Sequence, residues 1–274
     1  MNRELPDFGK PPLTEVALSV QFEPLEKLRT PQIGLIWNEF RQRFPITEEH
    51  VPIEPAFEQF GALKSMGPQV RFEMVETLPV PRIWFLNEPG TELIQIQPDR
   101  FIHNWRKGGE RDTYPRYELL RKTFKTELET FREIVAREQC GVIHPNQCEV
   151  TYVNHIVAGQ GWSQHSEIAE VLTIFPSGNC EAGELENVNF SARFILRNDE
   201  QKPIGRLHAT VQPLVQRESN RSMIAFTLTA RLRPDGESDE SVLSSLDRGR
   251  EVIVRSFAQL TTPQMHKIWE RKDG

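Results

Sequence analysis

The stretch LIQIQPDRFIHNWRKGGERDTYPRYELLRKTFKTELETFREIVARE, Leu93 to Glu138, decides how this chain is organised. Its first part alternates as a strand does, with Leu93, Gln95 and Gln97 on one side and Ile94 and Ile96 on the other. Its second part carries Tyr117, Leu120, Phe124, Leu128, Phe131 and Val135 at three- and four-residue steps, with Arg, Lys, Glu and Thr between them. That is the stripe of a long amphipathic helix, which Pro115 can open because a first turn tolerates proline. A strand that leads through a polar turn into such a helix predicts an α+β scaffold, the stripe covering one face of an antiparallel sheet.

The flanking sequence supplies the sheet. TEVALSVQFEPL places Val16, Leu18, Val20 and Phe22 on one face of a strand. Thr30 and Pro31 open a helix carrying Ile33, Trp37, Phe40 and Phe44, and Pro45 stops it. Residues 51–61 are rich in proline and show no period. Strands are expected at Val70 to Leu78, at Arg82 to Leu86 and from Leu93 onward. The second half follows the same order. It has a strand from Cys148 to Val157, a short helical segment near Ser163 to Leu172, strands at Val188 to Leu196, Ile204 to Val215 and Met223 to Leu232, and a final helix with Leu243, Leu246, Ile253, Phe257 and Leu260. The chain therefore reads as two pseudo-repeats of strand, helix, three antiparallel strands and long helix, residues 1–140 and 141–274. They form either two domains or one joint sheet. Val70 to Leu78 and Met223 to Leu232 are the expected edges.

Composition narrows the function classes. Hydrophobic residues are 38% and charged residues 26% of 274, near globular values, and no apolar run approaches the ~20 residues that span a bilayer. Three cysteines suit reduced thiols, and the opening MNRELPDFGKPP lacks the apolar core of a signal peptide, so a cytoplasmic protein without membrane contact is expected. A formal charge of −6 disfavours nucleic acid as a partner.

Few motifs carry chemistry. Asp99, Arg100, His103, Asn104 and Trp105 form the densest polar cluster, with an arginine for an anion, amide and imidazole for directed hydrogen bonds, and an indole for stacking. In a strand, Arg100, Ile102, Asn104 and Arg106 share one face and Phe101, His103 and Trp105 the other. The plainer reading is that Phe101 and Trp105 are core and Asn104 ties a turn. Asn154 and His155 sit on the corresponding strand of the other half, where a buried polar pair must find partners. His144 and Cys148 are four apart, but Pro145 lies between them, and Gly161-Trp-Ser163 lacks the second glycine of a nucleophile elbow. No catalytic residue, metal ligand or cofactor site is therefore assigned. Arg100, His103, Asn104, Trp105, Asn154 and His155 stand as candidate contacts for a ligand or partner.

Three stretches carry a family resemblance: PPLTEVALSVQFEPL (Pro11 to Leu25), IQIQPDRFIHNWRK (Ile94 to Lys107) and SLDRGREVIVRSFAQLTTPQMHKIW (Ser245 to Trp269). They resemble a sporadically distributed bacterial family of uncharacterised proteins that opens on a Pro-Pro-x-x-Glu-Val strand. The resemblance implies horizontally moved genes and a place in a defence or toxin-associated system, and assigns no catalytic residue. Two expectations follow. One is a non-enzymatic binding protein that engages a protein partner, a second copy of itself or a small ligand, with tryptophans such as Trp37, Trp84, Trp105, Trp162 and Trp269 as anchors. The other is an enzyme or nucleotide-handling protein in which Asp99, Arg100, His103, Asn154 and His155 converge between the halves.

Overall fold

Val16, Leu18, Val20 and Phe22, the alternating residues of the first long strand, are at most 1% exposed, and they lie at the centre of the molecule. The computed structural model describes residues 4–61, 79–109, 112–175, 181, 183–216 and 219–272. In chain order the first half holds β1 (Asp7–Phe8), β2 (Leu13–Phe22), α1 (Thr30–Phe40), β3 (Ile46–His50), β4 (Arg82–Leu86), β5 (Glu92–Gln97), β6 (Arg100–Arg106) and α2 (Tyr117–Arg137). The second holds β7 (Pro145–Val157), a 3-10 turn leading into α3 (Ile168–Val171), β8 (Phe190–Arg197), β9 (Pro203–Val215), β10 (Ser222–Leu232), α4 (Asp239–Leu260), α5 (Pro263–Ile268) and β11 (Arg271–Lys272).

Nine strands form one antiparallel sheet in the order β3-β4-β5-β6-β2-β7-β10-β9-β8, and β1 pairs with β11 beside it. In each half the first long strand pairs with the strand that precedes the long helix, β2 with β6 and β7 with β10. The two first strands then pair with each other, Leu18 opposite Val150, so the sheet runs unbroken across the middle of the chain. The fold is α+β.

Both long helices cover the same face and touch each other, α2 over β6 and α4 over β7 and β10. All six stripe residues predicted for α2 are buried. The helix face of the sheet is built from the apolar half of each alternation: Ile94 and Ile96, Phe101 and Trp105, Val150 and Tyr152, Leu228 and Ala230. Gly249 lets α4 approach closely, since a Cβ there would stand 3.0 Å from Val150 Cγ2. No helix among the described residues is long and apolar enough to cross a membrane.

Several expectations need correction. The run from Leu93 to Arg106 is a hairpin, β5 and β6, turning at Pro98-Asp99 with Gln97 opposite Arg100. The turn is fixed by its carbonyls, which accept from Phe22 N–H and Leu25 N–H at 2.9 Å each. Met223–Leu232 lies inside β10, between β7 and β9, and is no edge, because α4 must rest on it. Among the described residues the edges are β3 and β8. Val70 to Leu78 lies outside the described residues. Helix α2 begins at Tyr117, with Arg116 rather than Pro115 at its entrance.

Candidate binding site

The alternation of β6 and β7 decides where each candidate side chain goes. His103, Trp105 and Asn154 point to the helix face, while Arg100, Asn104 and His155 point to the open one. The five polar residues expected to converge between the halves are therefore divided by the sheet itself.

On the helix side His103 is fully buried and its Nδ1 donates to Glu127 Oε2 at 2.8 Å. Arg43 holds the other oxygen of Glu127 at 2.7 Å. This triad fastens α2 to β6 and leaves His103 Nε2 buried without a hydrogen-bond partner among the described residues. Trp105 packs against Tyr114, ring centres 5.5 Å apart, and Trp162 and Trp269 are likewise buried, so these three cannot anchor a partner.

Asn154 borders something different. A cavity of about 330 Å³ lies between the start of α2, the middle of α4 and the sheet, walled on its outer side by the arm from Leu5 to Pro11. The chain has three tyrosines, and all three line it: Tyr114 and Tyr117 from the first half and Tyr152 from the second. The Tyr114 and Tyr152 hydroxyls are 3.0 Å apart, and Tyr117 Oη donates to Asp247 at 2.8 Å. Leu13, Ile253 and Phe257 supply apolar wall, and Asn154 Nδ2 donates to the Phe226 carbonyl at 3.1 Å.

Two arginines border the cavity. Arg116 is held at φ 74°, an uncommon conformation for a side-chain-bearing residue, and it pairs with Asp7 at 2.6 Å. Arg250 stands over the Tyr117 ring at 5.3 Å and reaches Glu118 only at 3.5 Å. Its Nε is buried and has no hydrogen-bond partner among the described residues. That is one open donor in an otherwise satisfied wall.

Burial raises all three phenols above their ordinary value of 10.0. For Tyr114 the neighbouring Tyr152 adds to the rise, and for Tyr117 the neighbouring Asp247 does. For Tyr152 the bond with Tyr114 and the charge of Arg250 partly offset it. The cavity thus presents neutral phenols that donate, accept and stack, and not phenolate bases.

On the open face Asn104 belongs to a chain of polar side chains across four strands. Arg82 donates to Gln95 at 2.8 Å, Gln95 to Asn104 at 2.7 Å and Asn104 to Glu15 at 2.6 Å. Arg100 bonds Gln21 of β2. His155 is half-buried, and burial lowers its pKa. Among the described residues no group of three or more His, Cys, Asp and Glu side chains is placed to hold a metal ion. Comparisons with protein-family models, with curated proteins and with solved structures return no match.

The cavity escaped sequence reading because its tyrosines are spread over three elements and none sits in a motif. One signal was available: Asn154 is a polar residue on the apolar face of β7, and such a residue needs a reason.

Proposed function

We propose that this chain is a non-enzymatic binding protein that holds a small, ring-bearing molecule with an acceptor oxygen, such as an aromatic carboxylate, in the cavity between the halves. The observation that carries this reading is the convergence of every tyrosine of the chain with Arg250, whose buried Nε lacks a partner. A ring fits between the phenols and Phe257, and an acceptor oxygen completes the arginine. Asp7 and Glu118 at the rim oppose a highly charged anion, which favours a molecule carrying a single charge. The raised phenols favour binding over proton transfer. The resemblance of three stretches to a mobile bacterial family supports placing this role in a defence or toxin-associated system, and the cysteine usage supports a cytoplasmic one.

Native mass spectrometry of the protein purified gently from its own host tests the reading. A retained mass of a few hundred daltons (the size class such cavities take) is expected, and Arg250→Gln should lose it. In parallel, the aromatic sulfonate 8-anilinonaphthalene-1-sulfonate should bind the unchanged chain and bind Arg250→Gln about tenfold more weakly, the loss of one charge-assisted bond. Equal binding by both chains, with no retained mass, refutes the assignment.

A further inference from the structure

The open face of the sheet is not bare. Residues 51–60, VPIEPAFEQF, leave β3 at one edge and reach β9, next to the opposite edge, as a strap across the strands. Two kinds of contact hold it. Side-chain amides and a guanidinium read its backbone. The Gln97 amide bonds both the N–H and the carbonyl of Ile53, at 3.0 and 2.9 Å. Gln21 Oε1 accepts from Ala56 N–H at 3.0 Å, and Arg100 lies 3.4 Å from the Glu54 carbonyl. A carboxylate pocket then takes Glu58, whose side chain is only 10% exposed. Arg206 pairs with one oxygen, His208 with the other at 2.6 Å, and Arg231 stands 3.8 Å away, shared with Glu149.

Two of the strap's apolar side chains face solvent, while Ile53 is half-buried and Phe60 lies under Arg206, 5.1 Å from its guanidinium. Val51 is 83% and Phe57 59% exposed. The segment is thus attached mainly through polar contacts that water or another chain can replace at little net cost, and with no fully buried apolar side chain of the kind that fixes a permanent element. Beneath it the sheet is rich in positive charge. Burial, then the charge of Arg100, lowers the pKa of Arg82. Burial lowers that of Arg100 as well, against the partial offset of the Asp99 and Glu149 carboxylates. A cleft of about 600 Å³ opens beside Glu58, between Phe57, Phe60 and the ends of β9 and β10.

We propose that the open face is a binding groove for an extended acidic peptide segment of a partner protein, and that residues 51–60 occupy it in cis until the partner displaces them. An amide that bonds both groups of one peptide unit recognises a backbone whatever its sequence, and the arginine–histidine pocket adds one specific requirement, a carboxylate at the position of Glu58. The strap, as a tethered competitor, lowers the apparent affinity for any partner.

The test uses the full chain and a fluorescein-labelled peptide of the strap's own sequence, VPIEPAFEQF, read by fluorescence anisotropy. Glu58→Ala, which loosens the strap, should bind the peptide at least about tenfold more tightly than the unchanged chain. Adding Arg206→Gln to Glu58→Ala should remove most of that binding, and so should glutamine in the peptide at the place of Glu58. Should Glu58→Ala lack a cooperative melt, Glu58→Gln, which keeps the shape of the side chain, serves for the same comparison. A folded variant that ignores the peptide overturns the proposal, as does one that binds equally with and without Arg206. A variant that captures a twelve-residue oligothymidylate but not the peptide also overturns it, and points to nucleic acid instead.

Discussion

The two faces of the sheet are covered in opposite ways. On one, α2 and α4 bury Phe124, Leu128, Phe131, Leu246 and Ile253, and the attachment is mainly apolar, with His103–Glu127 as a buried polar rivet. On the other, a strap without secondary structure lies on glutamines and arginines and turns Phe57 outward. The first cover is held by the removal of apolar surface from water, which nothing in solution replaces. The second is held by hydrogen bonds and one carboxylate, which water and partners both replace. Permanent structure and exchangeable structure thus lie back to back on the same strands.

Breaking the helix cover should cost most. Phe131 is fully buried against Phe101 and Phe22, ring centres 5.1 and 6.0 Å away. Phe131→Ala should lower unfolding stability by about 3–5 kcal/mol, read from denaturant midpoints. Glu127→Ala strands a buried imidazole and should cost about 3 kcal/mol, with no change in proteolysis of the strap. Gly249→Ala pushes a methyl towards Val150 and should cost about 1–3 kcal/mol by overpacking. Glu58→Gln should cost only about 1 kcal/mol, because the strap can lift and return Arg206 and His208 to water. Its readout is local: chymotrypsin should cut at Phe57 faster while the global melt hardly moves.

The smallest test separates the faces by pH. Burial opposes ionisation of Glu58, but His208 and Arg206 outweigh it and hold its carboxyl below 4.5, the ordinary value. Its contribution is therefore complete above that value and is lost as pH falls through the lowered one. The tyrosines run the other way. Their phenols are raised, so their contribution is complete below pH 10.0 and is lost as pH rises above it, where the unfolded chain ionises first. Acid should speed cleavage at Phe57 by pepsin, which works at low pH, before the core melts, and alkali should destabilise the cavity side while leaving cleavage of the strap by chymotrypsin unchanged. Cys148, whose thiol burial pushes up to about 12, should resist alkylation at pH 8 in a Cys180→Ser chain until the helix cover unfolds.

Sequence made the helix face legible and the open face almost illegible, for one physical reason. Burial against a helix demands periodic apolar residues, so β2, α2, β7, β10 and α4 announce themselves in Val16 to Phe22, Tyr117 to Val135 and Leu243 to Phe257. The hairpin at Pro98-Asp99 hid because alternation continues on both sides of a turn that holds no glycine. β3, ITEEH, hid because an exposed edge has no face to mark. The strap left no trace because its partners are remote, Glu58 and His208 being 150 residues apart, and a glutamine that will bind a peptide unit looks like any surface glutamine. The division of the six candidate residues between two faces follows from period-2 alternation alone. Their grouping into one site required all of them to point to one face, which the alternation along β6 and β7 does not allow.

That seam also bears on how the chain is made. β2 is complete by residue 22, and its partner β6 by residue 106, but β7 begins at residue 145. During synthesis the first half can assemble its own strands and dock α2 while the far side of β2 stays open, a row of unpaired amides beside a fresh apolar stripe. The centre of the finished sheet is therefore the exposed margin of the half-made one. The nascent chain is most adhesive in the interval before its second half leaves the ribosome.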